Sequence, residues 1–323
     1  MKIIKKLATY VFISVIILFP LSPFWIKLVP IKYFSSLVGT SSRNKNPLQQ
    51  DPYYKPWETE SVLLQLGKNT QYDILIMGSS HGRLLSRNRN HEIVERVLQK
   101  KIATIAAGEG ACVIPEKVFL STFYDMQNSA KTIFYFIDPW CFYTKKYNEG
   151  YVFSNEPLDS LLLRNLESSE IDKTLIASYK EKNEVSNEPS NNIPIVELNT
   201  TGLQDIDASG VERRILNLYN GSIPEKMNQK YQNTMEEIIQ LAQNHKANLI
   251  FIIPPTLYKD PKYEKLLQLL QEYERKYRNP IVDMSESITD VSLYYHYDHL
   301  NSNGVEVFME LLISAFRDQG IQI

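Results

Sequence analysis

Residues 72–82 read YDILIMGSSHG, and this stretch decides the fold. Its apolar half, residues 72–77, predicts a buried strand. The small residues that follow permit a tight turn into a helix at the carboxyl end of that strand. A hydroxyl group on this turn, such as that of Ser80, would lie at a helix N-terminus, where free N–H groups stabilise a developing negative charge. The same sequence is also typical of a plain helix cap.

Short apolar runs alternate with helical patterns along the rest of the chain. Further strands are predicted at residues 102–106, 132–137 and 249–253, and helices at 92–100, 225–245 and 302–317. Asn301 or Ser302 would cap the last helix. This alternation predicts a three-layer α/β/α fold with a mostly parallel sheet. About 110 residues separate the third and fourth strands, so residues 145–214 are predicted to form an insertion over the sheet edge or a lid.

The first 30 residues predict a cytoplasmic tip followed by a transmembrane anchor. Residues 7–26 carry no charge, and at about 1.5 Å per residue they are long enough to cross the core of a bilayer. Three lysines precede them, which predicts that the N-terminus stays in the cytoplasm and the rest of the chain is exported. A cleaved signal peptide is the alternative. Residues 31–70 are then a linker, and residues 71–323 form the folded domain.

The net charge of the chain argues against an electrostatic binder of nucleic acid. Its 323 residues include 35 basic and 37 acidic side chains, which gives 35 − 37 = −2. The two cysteines, Cys112 and Cys141, are too few for a disulfide-rich scaffold or a Cys-based zinc site. They follow the second and third predicted strands, whose ends can lie close together. The sequence therefore permits either a disulfide between them or two free thiols.

A histidine near the other end of the chain is the second chemical signal. Residues 297–304 read YDHLNSNG and precede the last predicted helix. His299 would therefore lie on a loop that can return to the carboxyl edge of the sheet, where Ser80 is expected. A serine and a histidine brought together form a nucleophile and its general base.

The two motifs resemble those of the SGNH or GDSL hydrolase superfamily of serine esterases and acyltransferases. Gly78-Ser79-Ser80 is similar to the G-D-S block of that family, with Ser79 in place of the usual aspartate. The resemblance implies a flavodoxin-like sheet with Ser80 as the nucleophile. It also implies an oxyanion hole formed by the N–H groups of Ser80 and of a glycine after the second strand. Gly108 and Gly110 are the candidates for this glycine.

The histidine block departs from the pattern of the family. The D-x-x-H block falls on residues 296–299, which implies that His299 is the base, but His296 occupies the position of the acid. Asp298 or Asp290 could replace this acid, or a backbone carbonyl could orient His299 in a Ser-His dyad. Asp298 and His296 are therefore both candidate catalytic residues.

The G-x-N-D block that the family has after the third strand is absent from the sequence. Residues 138–142 read DPWCF instead, which is similar to a run in some membrane-anchored members of the superfamily. The side chain of an ionised Asp138 cannot donate a hydrogen bond to an oxyanion. We therefore expect the oxyanion hole to depend on backbone N–H groups. His81, Asp138 and Trp140 are the candidate substrate contacts.

The resemblance implies acyl transfer through an acyl-enzyme, which water or a sugar hydroxyl resolves without any cofactor. Exported relatives commonly handle acyl esters of cell-envelope carbohydrate. By analogy, the chain would be anchored in the membrane with its catalytic domain outside the cytoplasm. A membrane protein that donates acyl groups would then be a candidate partner.

Two other functions stay open at the level of sequence. Because His296 replaces the expected acid, the domain could be a catalytically impaired carbohydrate-binding or assembly protein. Alternatively, the histidines and the aspartate near the site could hold a metal ion for hydrolysis. The residues for such a metal site would be His81, His296, Asp298 and His299.

Overall fold

Five parallel strands form the central sheet. They are β1 (Gln71–Gly78), β2 (Ile102–Thr104), β3 (Ser129–Phe136), β4 (Asn248–Ile253) and β5 (Ile281–Asp283). The computed structural model describes residues 61–107, 111–181, 198–220 and 225–323 of the chain. The strand order β2-β1-β3-β4-β5 is the doubly wound order in which the winding reverses between β1 and β3. The four strands predicted from the sequence are confirmed, and β5 adds a fifth.

Helices cover both faces of the sheet. Their bounds are α1 (Ser80–Leu84), α2 (Asn90–Leu98), α3 (Val113–Asp125), α4 (Ser160–Glu167), α5 (Lys173–Glu181), α6 (Ala208–Leu218), α7 (Glu225–Asn244), α8 (Tyr263–Tyr277) and α9 (Ser302–Asp318). Buried side chains of α1, α2 and α9 form one core with the sheet, and those of α3, α7 and α8 form the other. The predicted three-layer α/β/α architecture is therefore confirmed.

Strand β1 shows why the sheet needs both helical layers. Ile74 and Ile76 belong to the core beneath α2 and α9, whereas Leu75 and Met77 belong to the core beneath α3 and α7. Each of the four is at most 1% exposed. Neighbouring side chains of a strand face opposite sides of the sheet, so a strand that is apolar at successive positions must be covered on both.

In its described residues, the predicted insertion includes α4, α5 and the start of α6, and its first half packs outside α3. Leu162 and Leu166 of α4 are buried in the same core as Phe119 of α3. Residues 182–197 lie outside the described part of the chain. The last helix of the insertion, α6, then brings Arg214 to the carboxyl edge of the sheet.

The folded domain begins before residue 71, the boundary predicted from the sequence. The buried carboxylate of Glu156 accepts a hydrogen bond from Ser61 Oγ at 2.6 Å. It also accepts hydrogen bonds from the backbone N–H groups of Val62 and Leu63, at 2.7 and 2.9 Å. These bonds fasten the chain to the insertion from residue 61 onward.

The predicted membrane anchor, residues 1–30, lies outside the described residues, as does the linker up to residue 60. Among the residues that the structure describes, no helix is both long enough and apolar enough to span a bilayer. The anchor therefore stays a prediction.

The two cysteines lie in contact beneath the carboxyl edge of the sheet. Cys112 and Cys141 are both buried, and their sulfur atoms are 2.8 Å apart without a covalent bond. Burial raises the pKa of both thiols. Of the two arrangements that the sequence left open, this structure has the free thiols.

Gly78 ends β1 in a backbone conformation that favours glycine. Its φ is +128°, and a Cβ atom here would lie 2.3 Å from the carbonyl oxygen of Phe136 on β3. The turn that presents Ser80 therefore depends on a residue without a side chain.

We expect Gly78→Ala to lower the free energy of unfolding by about 2–4 kcal/mol, because the methyl group adds a strained φ and a clash with the backbone. Gly320 is the matched control, since its φ is +69° but no described atom lies within 4 Å of its Cβ position. Gly320→Ala should cost less than about 1 kcal/mol. Urea unfolding measures both losses, and equal losses would contradict the role of the clash.

Candidate active site

The two neighbouring serines after β1 have different surroundings. Ser79 is buried, and its Oγ donates a hydrogen bond to Asp138 Oδ2 at 2.7 Å. Ser80 is the first residue of α1 and is half-buried. Its Oγ makes no hydrogen bond to any residue that the structure describes. Of the two hydroxyl groups, that of Ser80 is the one left available as a nucleophile.

A short hairpin carries the histidine. Its strands β6 (Tyr294–His296) and β7 (His299–Leu300) are antiparallel, with His296 opposite His299. Directly after β7, the side chain of Asn301 caps α9 by accepting a hydrogen bond from a backbone N–H at 2.9 Å. The hairpin and the cap fix the backbone on both sides of His299, which is 7% exposed.

Asp298, on the turn of this hairpin, orients His299. Its Oδ1 accepts hydrogen bonds from Nδ1 of His299 and from Nδ1 of His296, each at 2.7 Å. Its Oδ2 accepts a hydrogen bond from Arg214 Nε at 2.8 Å. Burial acts to raise the pKa of this carboxyl, but His299, His296 and Arg214 together hold the pKa well below its ordinary value. An ionised carboxylate only accepts hydrogen bonds, so Nδ1 of His299 is the protonated nitrogen.

His299 is thereby prepared to take up a proton. With Nδ1 protonated, Nε2 of the neutral ring is the acceptor, and Nε2 has no hydrogen-bond partner within the described part of the chain. Burial, together with the charges of His81 and Arg214, lowers the pKa of His299 below its ordinary value although Asp298 raises it. The ring is therefore neutral at pH 7, as a general base must be.

His81 joins two segments of the site. One is the serine loop, residues 78–80, and the other is the histidine hairpin, residues 294–300. The ring of His81 lies face to face with that of His299, with 4.8 Å between the centroids and 9° between the planes. Nδ1 of His81 is 2.9 Å from Asp138 Oδ2, and Nε2 is hydrogen-bonded to the carbonyl oxygen of Asp298. Because Ser80 immediately precedes His81, the stacked rings place Ser80 and His299 on the same edge of the sheet.

The structure contains no hydrogen bond between Ser80 Oγ and His299 among the described contacts. Hydrogen bonds of this kind are commonly long or absent without substrate and tighten when it binds. Ser80 Oγ and Nε2 of His299 have no hydrogen-bond partner among the described residues, and both residues lie at the carboxyl edge, close to where the order of the strands reverses. This is the position at which doubly wound sheets bind their ligands.

The remaining sequence candidates differ in where the structure places them. His296 stands at the position of the family's acid but contacts Asp298 as a second donor, so Asp298 occupies the acid's place in space. Asp290 lies away from His299 and instead accepts a hydrogen bond from the N–H of Ser292 at 2.9 Å. The oxyanion-hole candidates after β2, residues 108–110, lie outside the described residues.

Three residues at the site had no motif to identify them. Arg214 belongs to a polar stretch that resembles a solvated helix face, and its contact with Asp298 spans 84 positions of sequence. Tyr258 and Asp260 follow β4, and the hydroxyl of Tyr258 is 3.5 Å from Asp298 Oδ2. The signal that could have identified these two is their place at the carboxyl end of a predicted strand.

A cavity of about 450 Å³ lies beside the stacked histidines. This volume is within the usual range of sites for small molecules. Its walls include two of the predicted substrate contacts, Asp138 and Trp140, and the aromatic rings of Tyr258 and Tyr263. His81 also lines the cavity, but both of its nitrogens are bonded within the protein.

Asp260 gives this cavity an acceptor for hydrogen bonds. Its Oδ1 accepts hydrogen bonds from Tyr219 OH at 2.6 Å and from the N–H of Lys262 at 2.7 Å. Its Oδ2 has no partner among the described residues. Burial raises the pKa of Asp260 to about 6. The free oxygen can therefore bind a hydroxyl group of a ligand in the cavity.

The metal hypothesis depends on the same residues as the catalytic one. Ligand atoms of His296, Asp298 and His299 lie within 4.8 Å of one another. The Nδ1 atoms of both histidines, however, are hydrogen-bonded to Asp298, and the guanidinium of Arg214 lies 2.8 Å from the same carboxylate. A fixed positive charge at that distance opposes a divalent cation. The arrangement fits a hydrogen-bonded acid and base better than a set of ligands.

No protein-family model matches the chain, and no curated protein matches it. Among solved structures, it is similar to a "putative acylhydrolase" from Bacteroides fragilis NCTC 9343. The two share 10% sequence identity with a TM-score of 0.42, over 85% of this chain and 99% of that one. This degree of similarity decides neither family nor activity, so membership of the SGNH superfamily stays a prediction.

Proposed function

We propose that the protein is a serine esterase or O-acyltransferase in which Ser80 is the nucleophile, His299 the general base and Asp298 the acid that orients it. One observation carries the proposal. The buried Asp298 carboxylate holds Nδ1 of His299 at 2.7 Å and leaves Nε2 available at the edge where Ser80 has its free hydroxyl. This is the division of roles in a Ser-His-Asp triad.

The proposed reaction has two steps. Nε2 of His299 takes the proton of Ser80 while Oγ attacks the ester carbonyl, and the imidazolium then gives this proton to the leaving alcohol. Water or a second alcohol resolves the acyl-enzyme in the same way. The N–H of Ser80 and a glycine N–H after β2 are the proposed donors to the oxyanion. The reaction needs no cofactor.

The substrate that we propose is an acyl ester of cell-envelope carbohydrate, handled outside the cytoplasm by a membrane-anchored chain. The uncharged residues 7–26 support the anchor. The cavity beside His81 supports a hydroxyl-rich alcohol, because it combines aromatic rings with the free oxygen of Asp260. A membrane protein that donates acyl groups is a further proposed partner if the enzyme transfers rather than hydrolyses.

We expect a fluorophosphonate probe to form an adduct with the full-length chain, and peptide mass spectrometry to locate the adduct on Ser80. The adduct forms because the probe traps a serine that an adjacent base has activated. His299→Ala should slow labelling by about 100-fold or more, since general-base catalysis contributes 10²–10⁴-fold. A folded chain without an adduct would favour the carbohydrate-binding alternative. Ester turnover that is lost on chelation and restored by zinc would favour the metal hydrolase.

A further inference from the structure

We infer that His81 is a positioning residue that is held as an imidazolium, links the serine loop to the histidine hairpin and keeps His299 neutral. Its state of protonation is independent of any reaction. Its effect on His299 as a base rests on the function proposed above.

The hydrogen bonds of His81 require two donors. The carbonyl oxygen of Asp298 can only accept, so Nε2 carries a hydrogen. Asp138 Oδ2 accepts from Ser79 Oγ at 2.7 Å and lies 2.9 Å from Nδ1 of His81. A ring that donates from both nitrogens is an imidazolium. The same Oδ2 already accepts the hydrogen bond of Ser79, as an ionised carboxylate does, so the hydrogen between Asp138 and Nδ1 is assigned to the ring.

With Asp138 ionised, the charges around His81 balance only if His81 is protonated. Asp138 faces it from the end of β3, and Asp298 and His299 face it from the hairpin. Arg214 stands behind Asp298 at 2.8 Å. With His81 protonated, two cations match two carboxylates and His299 is left uncharged. An unpaired buried carboxylate would be strongly destabilising.

The shift in the pKa of His81 also favours the protonated ring. Burial alone would lower this pKa, but Asp138, through its charge and its hydrogen bond, and Asp298 raise the pKa above the ordinary value for histidine. Asp260 and Glu286 line the same cavity as Asp138 and His81 and are further carboxyl groups on that side.

A cation stacked 4.8 Å from His299 disfavours a second positive charge there. His299 therefore stays unprotonated at lower pH than it would beside a neutral ring, and it releases the proton from Ser80 readily to the leaving alcohol. The hydrogen bond from His81 to the Asp298 carbonyl also fixes the backbone that carries the orienting carboxylate.

The first test measures the ring directly, by ¹⁵N NMR of the full-length chain labelled at histidine. Comparison with His81→Gln assigns the signals. We expect both ring nitrogens of His81 to be protonated at pH 7, where an ordinary histidine is mostly neutral. A single protonated nitrogen at pH 7 would overturn the inference. Asp138→Asn is the second variant, and it should convert His81 to a neutral ring. The ring is observed whether or not the chain hydrolyses esters.

The second test measures the pH dependence of kcat/KM for an aryl ester. Glutamine at position 81 can donate to the Asp298 carbonyl but carries no charge. The acid limb of the pH profile of the His81→Gln variant should therefore move to higher pH by at least about half a pH unit. Ser79→Ala keeps the His81–Asp138 pair and should leave the limb in place. An unmoved limb in His81→Gln, or the same shift in both variants, would overturn the effect on His299. Absence of all turnover in the wild type would refute the proposed function and leave the NMR result to decide the charge of His81.

Discussion

Ser80→Ala should lower kcat/KM for a short-chain aryl ester by about 10⁴-fold or more. Without the hydroxyl of Ser80, His299 has no proton to remove and no acyl-enzyme can form. The donors to the oxyanion and the cavity remain, so a small residual rate above the uncatalysed reaction is expected. Steady-state kinetics of the full-length chain measure the loss, and an unchanged KM would indicate that the substrate still binds.

Ser79→Ala is the matched control for this prediction. Ser79 has the same side chain one position earlier, but its hydroxyl is bonded to Asp138 at 2.7 Å. Its removal should cost about 1 kcal/mol of stability and less than about tenfold in kcat/KM. The reverse pattern would identify Ser79 as the nucleophile. Small losses in both variants would exclude serine catalysis at this turn.

The regular part of the fold could be predicted because its signals are local. The run from residue 72 to 77 is apolar at nearly every position, and only a strand covered on both faces requires that pattern. Strand β5 (Ile281–Asp283) was not predicted because only two apolar residues lie between Pro280 and Asp283, whereas the predicted run at β2 has five uncharged residues, 102–106.

Asp298, the acid that we propose, was one of the candidates from the sequence, but the spacing of residues did not single it out. The family's pattern places it three positions before the histidine, where this chain has His296. Asp298 reaches Nδ1 of its neighbour His299 only because it lies on the turn of a tight hairpin whose second strand begins at His299. Arg214, the partner of the other carboxylate oxygen of Asp298, approaches from an insertion whose path depends on tertiary packing. Both contacts are properties of the folded backbone rather than of local sequence.

Asp298→Asn should lower kcat by about 10⁴-fold while leaving the fold intact. The reason lies in the partners of the two carboxylate oxygens. Arg214 can only donate a hydrogen bond, so the amide oxygen of asparagine must face Arg214. The NH₂ group then faces Nδ1 of His299, which becomes an acceptor. The proton of the neutral ring moves to Nε2, and the base can no longer take the proton of Ser80. Histidine NMR of the variant checks the change of tautomer, and kinetics check the loss of rate.

His296→Ala separates the two histidines that share this carboxylate. His296 donates to the same Oδ1 of Asp298 at the same 2.7 Å as His299, but its side chain is 41% exposed. Its removal leaves the bond from Asp298 to His299 in place, so the expected loss in kcat is less than about tenfold. If His296→Ala lost as much activity as Asp298→Asn, the orienting role would belong to the histidine at the family's acid position. A large loss confined to Asp298→Asn would instead mean that the acid lies directly before its histidine in the chain.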